Sequence, residues 1–356
     1  MLLMLLATIA ALLAAALLTI FIAYRLPRGP SSERFLNLVV GHRGCRGYPT
    51  LPENSIAAFK YAIQRGCDAI ELDVQLSADG EAFVVHDDLT TRLFTTEGKY
   101  ITQMSSDEVR ALRYKANATE RVPTLRDVFV FVNDFNRKNS DKRTVKIFVE
   151  LKNMNTARSA LYAQKIAADF AAESAADIAC IITFAPVLLY HVRVVAPALV
   201  TCLLYADDVY CSALRAGYDI VPAWVRPIAP LVDAALLFLC RGFGGGGVFS
   251  NSLPPFLPAV TGASMMGPNY KLLTESEATV FTARGLGTYV WVTNTVESAL
   301  FCLSLKCSVG TDHVFPDILP PPFARNGVGK HSDEANLGFA LAAKAKADVS
   351  EITGMF

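Results

Sequence analysis

The sequence places two histidines and a pair of alternating carboxylates at the ends of short apolar runs that are typical of β-strands. Glu71 and Asp73 lie two residues apart, so on a strand both side chains project from the same face. Two adjacent carboxylates repel each other strongly unless a cation neutralises them. His42 and His86 carry the side chain best suited to proton transfer near neutral pH. This combination predicts the hydrolysis of a phosphate ester with a divalent metal ion.

A third carboxylate and two cations complete the predicted site. Glu150 and Lys152 repeat the alternation at the end of another apolar run. Glu71, Asp73 and Glu150 offer oxygen ligands without cysteine, which suits a hard cation, Mg²⁺ foremost or Ca²⁺, better than zinc. Any one of these carboxylates alone would read as a surface or ion-pair residue. We expect Arg43 and Lys152 to hold the phosphate and to offset charge that develops in the transition state.

Four further residues lie close to these motifs or at the end of a late strand. Asn54 opens a predicted helix, where it could be the N-cap, and Glu53 could support the metal ligands. Trp291 and Asn294 end an apolar run near the C-terminus, where they could line the mouth of the site and pack on substrate. A tryptophan buried in the core fits the same run nearly as well.

The other histidines and the cysteines form no comparable pattern. His191 lies in an apolar helical stretch, for which we expect a structural role, and His313 follows Thr311 and Asp312 without a predicted catalytic role. The eight cysteines are scattered and form no CxxC pair, which argues against a zinc site. Equal numbers of acidic and basic residues leave no basic footprint, so we expect no nucleic acid as a partner.

Apolar runs alternate with helical patterns over most of the chain. The first predicted helix, residues 54–65, is closed by Gly66 as a C-cap. Strands that alternate with helices predict a parallel α/β sheet, and eight candidates favour a (β/α)₈ TIM barrel over an open sheet. The candidate strands are residues 36–41, 69–74, 82–86, 145–151, 179–184, 199–205, 263–266 and 288–292.

The alternation is interrupted twice. Residues 90–113 are too polar and turn-rich for a plain βα connection, and they predict a small insertion after the third strand. Residues 210–258 contain the apolar run 231–240, which is too short to span a bilayer and fits either ordinary core or contact with a membrane surface. The glycine run 242–247 is not followed by Lys-Ser or Lys-Thr, so we interpret it as a flexible joint rather than a phosphate loop.

The first residues predict a membrane anchor. Residues 1–24 carry no charge, and as a helix they would extend about 36 Å, enough to cross the roughly 30 Å hydrocarbon core of a bilayer. A cleaved signal peptide is the alternative, but no basic residue precedes the run and no clean cleavage site follows it. We therefore expect a single-pass membrane protein with an anchor at 1–25, a linker at 26–35, a barrel at 36–322 and a tail at 323–356.

The sequence does not decide which side of the membrane the barrel occupies. Arg25, Arg28 and Arg34 follow the anchor, which favours a cytosolic barrel under the positive-inside rule. The glycosylation sequon Asn117-Ala118-Thr119 would instead fit a lumenal barrel.

Taken together, these motifs resemble those of the glycerophosphodiester phosphodiesterase family. The match consists of His-Arg-Gly at 42–44, Pro-Glu-Asn at 52–54, Glu-x-Asp at 71–73, His-Asp at 86–87, Glu-x-Lys at 150–152 and a tryptophan-bearing strand at 291–294. The resemblance implies a TIM barrel with a small insertion after the third strand. It implies that His42 and His86 act as acid and base. It also implies Glu71, Asp73 and Glu150 as metal ligands, and Arg43 and Lys152 as phosphate binders.

The anchor and the apolar interruption look most like those of the family's membrane-bound animal members. Such members act on glycerophosphoinositol or, in a related branch, on lysophospholipids and N-acyl glycerophosphoethanolamines. The resemblance implies hydrolysis of glycerophosphodiesters to glycerol 3-phosphate and an alcohol, with this substrate and membrane lipid as partners. One alternative is a lysophospholipase D in which run 231–240 grips the acyl chain. Another, from a different class, is an inactive barrel that serves as a membrane scaffold.

Overall fold

The computed structural model describes residues 28–48, 50–139, 144–152, 158–206, 261–313 and 315–319. Within these ranges the strands form one sheet and are, in chain order, β1 Val39–Gly41, β2 Ala69–Leu76, β3 Ala82–Val84, β4 Lys146–Leu151, β5 Ala179–Thr183, β6 Thr201–Tyr205, β7 Met265–Pro268, β8 Gly287–Val290 and β9 Ser308–Thr311. The α-helices there are α1 Ile56–Gln64, α2 Ser106–Ala111, α3 Leu125–Lys138, α4 Ser159–Ala172, α5 Pro186–Val195, α6 Glu275–Ala283 and α7 Val296–Ser304.

All of these strands except β3 close into a parallel barrel. Around the sheet the neighbours are β1, β9, β8, β7, β6, β5, β4 and β2, and β1 also pairs with β2. Val40 of β1 pairs with Ala69 on one side and with Gly310 on the other, so the ring has no gap at this point. Each pairing in the ring is parallel. The predicted (β/α)₈ barrel is therefore confirmed.

One predicted barrel strand is wrong, and one barrel strand is absent from the prediction. Residues 82–86, predicted as the third barrel strand, contain β3, which pairs antiparallel with β2 through Val74 opposite Val84. A short turn joins the two strands, whereas a parallel crossover needs about a dozen residues or more. The eighth barrel strand is β9, whose sequence Ser-Val-Gly-Thr contains a single strongly apolar residue. It therefore does not stand out as an apolar segment in the sequence.

Helix α1 begins later than predicted. Ser55 is its N-cap, and the Ser55 hydroxyl accepts a hydrogen bond from the Ala58 N–H at 3.2 Å. Asn54, the predicted cap, has a φ of 61°, in the left-handed region that asparagine tolerates better than most residues. The helix ends before Gly66 as predicted, and the φ of 93° at that residue suits glycine. Because Ser55 is the cap, the Asn54 side chain is available for another role.

The residues between β3 and α3 have a hydrophobic cluster of their own. The predicted insertion at 90–113 contains α2, whose N-cap Ser105 exchanges hydrogen bonds with Glu108 in a capping box. The buried members of the cluster are Phe83, Val85, Phe94, Ile101, Met104, Val109, Leu112, Tyr114 and Val122. Since β3 contributes the first of these side chains, the cluster attaches the insertion to the β2–β3 hairpin.

Phe35 closes the N-terminal end of the barrel. It ends a 3₁₀ helix at Glu33–Phe35, is fully buried and meets Phe148 edge to face with ring centroids 5.8 Å apart. The Ser308 hydroxyl, at the start of β9, donates a hydrogen bond to the Phe35 carbonyl at 2.7 Å. The later part of the predicted linker therefore packs onto the barrel.

Three predicted segments lie outside the described residues. They are the anchor at 1–25, the apolar interruption at 210–258 with its glycine run, and the tail at 323–356. Within the part of the chain that is described, no helix combines the length and the apolarity that crossing a membrane requires.

Replacing Phe35 with alanine should destabilise the barrel by about 3–5 kcal/mol, because the change removes a buried ring and leaves a cavity. The matched control is Leu161→Ala on α4, where the side chain is 54% exposed and the expected change is within about 0.5 kcal/mol. Urea denaturation followed by circular dichroism measures both. Equal free energies of unfolding for wild type and Phe35→Ala would mean that residues 28–35 do not support the barrel.

Candidate active site

Three carboxylates converge at the C-terminal end of the barrel strands. Glu71 and Asp73 lie on β2 and Glu150 lies on β4, where Asp73 and Glu150 are register partners. One oxygen from each residue lies within 4.8 Å of the other two, and all three side chains are buried. In (β/α)₈ barrels this end of the strands surrounds the active site. The alternation seen in the sequence thus produces a compact cluster of oxygen atoms, here called the carboxylate cluster.

The carboxylate cluster has the properties of a cation site. Burial raises the pKa of Glu71 well above its ordinary value, and the charges of Asp73 and Glu150 raise it further. The Glu71 Oε1 atom is buried and has no hydrogen-bond partner among the residues that the structure describes. A buried oxygen without a donor is costly unless something else satisfies it. These three residues therefore fit a hard divalent cation, which prefers oxygen ligands.

Two basic side chains face the carboxylate cluster. Arg43 Nε lies 3.2 Å from Asp73 Oδ2, and Lys152 Nζ lies 3.0 Å from Asp73 Oδ1. Burial alone would raise the pKa of Asp73, but the Lys152 and Arg43 charges lower it below its ordinary value. Lys152 also donates a hydrogen bond to Glu150 at 2.5 Å. Both basic groups therefore lie directly beside the carboxylate cluster.

The turn after β1 brings its backbone against the carboxylate cluster. Arg43 has a φ of 51°, and its N–H donates a hydrogen bond to Glu71 Oε2 at 2.8 Å. Gly44 follows with a φ of 80°, and a Cβ there would lie 2.7 Å from the backbone carbon of Ala58 on α1. Since only glycine avoids this clash, the His-Arg-Gly motif has a backbone reason as well as a chemical one.

The two residues before Ser55 contact the carboxylate cluster and Arg43. Asn54 donates a hydrogen bond to Asp73 Oδ2 at 2.8 Å, and its Oδ1 accepts one from the Asp73 N–H at 3.2 Å. Glu53, predicted to support the metal ligands, accepts a hydrogen bond from Arg43 Nη1 at 2.9 Å, and Arg43 in turn pairs with Asp73. Asn54 therefore holds a carboxylate of the cluster, and Glu53 holds one of the basic side chains.

His42 is oriented by a carboxylate. Its Nδ1 lies 2.7 Å from Asp312 Oδ1; burial would raise the pKa of Asp312, but the hydrogen bond and charge of His42 lower it to about 2. An ionised carboxylate can only accept, so Nδ1 carries the proton, and Nε2 lies 3.9 Å from Glu71 Oε2. Asn294 donates to Asp312 Oδ2 at 2.8 Å and accepts from the Asp312 N–H at 3.0 Å.

His86 is held in the same way by its chain neighbour. Its Nδ1 lies 2.7 Å from Asp87 Oδ1, and Arg92 donates two hydrogen bonds to that carboxylate. Burial lowers the pKa of His86; the Asp73 charge opposes this shift, and the Lys152 charge reinforces it. The lowered pKa favours the neutral form of His86, in which Nε2 accepts a proton.

Trp291 lies at the rim of the barrel, directly after β8. It is half-buried, and its indole N–H donates a hydrogen bond to the Gly267 carbonyl at 2.9 Å. Its ring meets that of Phe184, at the end of β5, edge to face with centroids 5.2 Å apart. The two rings give one side of the mouth an apolar surface, in the place where the sequence predicts a contact with substrate.

Two histidines do not join the site, and two site residues are absent from the sequence prediction. His191 lies on α5 next to Tyr190, and His313 is exposed. Asp312 directly follows β9, so recognising that strand would have pointed to it. Arg92 lies in the insertion, where its spacing from the other motifs gives no signal.

Comparison with known proteins identifies the family. The model of the Glycerophosphoryl diester phosphodiesterase family matches residues 42–315, which include every residue of the site. The chain belongs to this family.

Relatives of the chain agree with the family assignment. The Glycerophosphodiester phosphodiesterase of Caldanaerobacter subterraneus subsp. tengcongensis is 41% identical over 102 residues, or 27% of this chain and 41% of the relative. A Mycobacterium tuberculosis protein named "Probable glycerophosphodiester phosphodiesterase 1" is 27% identical over 289 residues, or 77% of this chain and 89% of the relative. The first match thus covers less than half of that relative's length.

A solved structure shares the fold. It is that of an Oleispira antarctica phosphodiesterase in complex with the product sn-glycerol-3-phosphate, and it superposes with a TM-score of 0.57. The sequence identity is 18%, and the match covers 80% of this chain and 96% of the other. The barrel of the family is therefore common to both proteins.

Glu71→Gln should separate apo stability from metal binding. In a chelator the variant should melt at or above the wild-type temperature, because its neutral amide cannot carry the buried negative charge that burial, Asp73 and Glu150 disfavour at this position. Added Mg²⁺ at 100 times its Kd should stabilise wild type by about 2.7 kcal/mol but not the variant. Differential scanning calorimetry measures both, with Glu173→Gln as a control outside the site. A full Mg²⁺ shift in Glu71→Gln would contradict the assignment.

Asp312→Asn should lower kcat for a phosphodiester substrate at least about tenfold while leaving KM nearly unchanged. The amide of the variant can donate to His42 Nδ1 and thereby favours the wrong tautomer of the imidazole. Steady-state kinetics test this, with Asp134→Asn on α3 as the control, since that carboxylate pairs with Arg137 at the surface. A kcat within about twofold of wild type would show that Asp312 does not orient His42.

Proposed function

We propose that this protein catalyses the metal-dependent hydrolysis of glycerophosphodiesters to glycerol 3-phosphate and an alcohol. The observation that carries the proposal is the pair of histidines beside the carboxylate cluster, each with Nδ1 held by an ionised carboxylate. Family membership and the product bound to the Oleispira antarctica relative, sn-glycerol-3-phosphate, support the same reaction.

The proposed mechanism assigns proton transfer to the two histidines. Because burial lowers the pKa of His86, His86 suits the acceptance of a proton from the attacking oxygen. His42 then gives a proton from Nε2 to the oxygen of the leaving group, a step that uses the imidazolium form because the Nδ1 proton stays hydrogen-bonded to Asp312. Arg43 and Lys152 bind the phosphate and offset the charge that develops on it.

The carboxylate cluster would hold the divalent ion through Glu71, Asp73 and Glu150. Such an ion supplies positive charge against the phosphoryl oxygens. We propose Mg²⁺, with Ca²⁺ as the alternative, because three carboxylates without sulfur or imidazole ligands suit hard cations. Trp291 is proposed to pack against the substrate at the rim of the site.

We also propose that residues 1–25 anchor the protein in a membrane by a single pass. The support is the uncharged apolar run of the sequence. The anchor would place the protein with the membrane-bound, animal-type members of the family. Lysophospholipids and N-acyl glycerophosphoethanolamines stay alternative substrates that the experiment below separates from glycerophosphodiesters.

The decisive experiment measures product release by the detergent-solubilised protein from glycerophosphoinositol and from lysophosphatidylcholine, with Mg²⁺, Ca²⁺ or a chelator. We expect metal-dependent release of glycerol 3-phosphate from the first substrate, and a loss of at least about 100-fold in His42→Ala and His86→Ala. Release of lysophosphatidic acid from the second substrate would instead indicate a lysophospholipase D. No release from either would favour the inactive scaffold.

A further inference from the structure

Arg92 joins two carboxylates that each hold a residue of the proposed site. It lies in the insertion between β3 and α2, and its guanidinium donates hydrogen bonds to Asp87 at 2.6 and 2.8 Å. The same guanidinium donates to Glu53 at 2.9 and 2.7 Å. Four of its five N–H groups are thereby engaged. The planar guanidinium therefore fixes the two carboxylates relative to each other.

Each carboxylate transmits this constraint to a side chain of the site. Asp87 Oδ1 lies 2.7 Å from His86 Nδ1, and Glu53 Oε1 accepts a hydrogen bond from Arg43 Nη1 at 2.9 Å. Arg92 therefore connects the histidine proposed to accept the proton with the arginine proposed to bind the phosphate. It makes this connection from outside the barrel strands.

Arg92 also supplies the positive charge that this corner of the site requires. Ligand atoms of Glu53, His86 and Asp87 lie within 4.8 Å of one another, so the two carboxylates would repel each other without a cation between them. Arg43 is a further cation beside Glu53, with Nη1 2.9 Å away, and Arg46 Nε lies 4.0 Å from the same carboxylate with its side chain 45% exposed. Arg92 also bonds to Asp87, and its removal would leave Asp87 without a charged donor to hold it.

We propose that Arg92 is a positioning residue for the hydrolysis. Through Asp87 it fixes the orientation of His86, and through Glu53 it holds Arg43 beside the phosphate. The catalytic step that Arg92 serves rests on the proposed function. The positioning itself rests on the hydrogen bonds alone. A residue of this kind acts on the transition state through other groups, so its loss lowers kcat; a direct contact with substrate would mainly raise KM.

The kinetic test uses Arg92→Ala and Arg92→Lys, assayed on glycerophosphoinositol with Mg²⁺. Arg92→Ala should lower kcat about 10- to 100-fold with KM within about twofold. Arg92→Lys should fall between this variant and wild type, because one ammonium cannot bind both carboxylates in the planar fork geometry. A raised KM with unchanged kcat would overturn the proposal in favour of substrate binding, and an unchanged kcat and KM would overturn it outright.

The matched control is Arg126→Ala on α3. Arg126 donates two hydrogen bonds to Glu173 at 3.1 and 2.9 Å, and its side chain is 50% exposed compared with 47% for Arg92. It has the same chemistry outside the site, so its replacement should leave kcat unchanged. An equal loss of kcat in both variants would indicate general destabilisation and would contradict a positioning role.

A double-mutant cycle tests whether Arg92 acts through Asp87. Asp87→Asn alone should reduce kcat. Adding Arg92→Ala to it should cost less than Arg92→Ala costs in wild type, because the route to His86 is already broken and only the route through Glu53 remains. A loss of kcat in the double variant equal to the product of the two single-variant losses would overturn the proposed route through Asp87.

Imidazole NMR separates this inference from the proposed function. The chain has five histidines, so the His86 ring signals can be assigned with a His86→Ala variant in ¹⁵N-labelled protein. In Arg92→Ala the hydrogen-bonded Nδ1–H signal of His86 should weaken or shift, whether or not the protein hydrolyses any diester. If the wild type is inactive and Arg92→Ala still changes the His86 signal, the proposed function is refuted and the positioning role stands. An unchanged His86 signal would refute the positioning, even in an active enzyme.

Discussion

Repulsion among the buried carboxylates governs the arrangement of the site. Two like charges about 4 Å apart at an effective dielectric constant of about 20 cost about 4 kcal/mol, a large share of the roughly 5–15 kcal/mol by which a domain is stable. The fold holds Glu71, Asp73 and Glu150 together in spite of this cost. It does so by placing them on adjacent strands of a closed sheet, where none of them can move away.

The polar groups around the cluster follow from the same constraint. Lys152 and Arg43 keep Asp73 ionised, Asn54 holds it by two hydrogen bonds, and the turn after β1 directs a backbone N–H at Glu71. The left-handed φ values of Arg43 and Asn54 belong to this arrangement. Local backbone geometry that sequence propensity would not favour is stabilised by the ion pairs it makes possible.

The sequence predicts those parts of the site that depend on strand periodicity. The alternation of Glu71 with Asp73, and of Glu150 with Lys152, identifies residues that share a face, and the parallel barrel brings such faces together. The pairing of His42 with Asp312 joins residues 270 positions apart, and it depends on β9, a strand with too few apolar residues to be seen as an apolar run. Asn54 is predicted to cap a helix, because helix capping is a local rule, whereas its observed partner Asp73 lies on β2. The antiparallel β3 is predicted as a barrel strand for a related reason. An apolar run does not indicate whether the strand pairs in a parallel or an antiparallel direction.

The point at which the chain enters the barrel has a consequence for anything attached upstream. The Gly29 N–H donates a hydrogen bond to the Gly262 carbonyl at 2.8 Å, in the loop before β7, and Phe35 fills the floor of the barrel a few residues later. Above this floor, Phe148 packs on Tyr289 with ring centroids 4.7 Å apart, and the carboxylates lie at the opposite end of the strands. Anything joined to the chain before residue 28 is therefore attached at the Phe35 end of the barrel, opposite the carboxylate cluster.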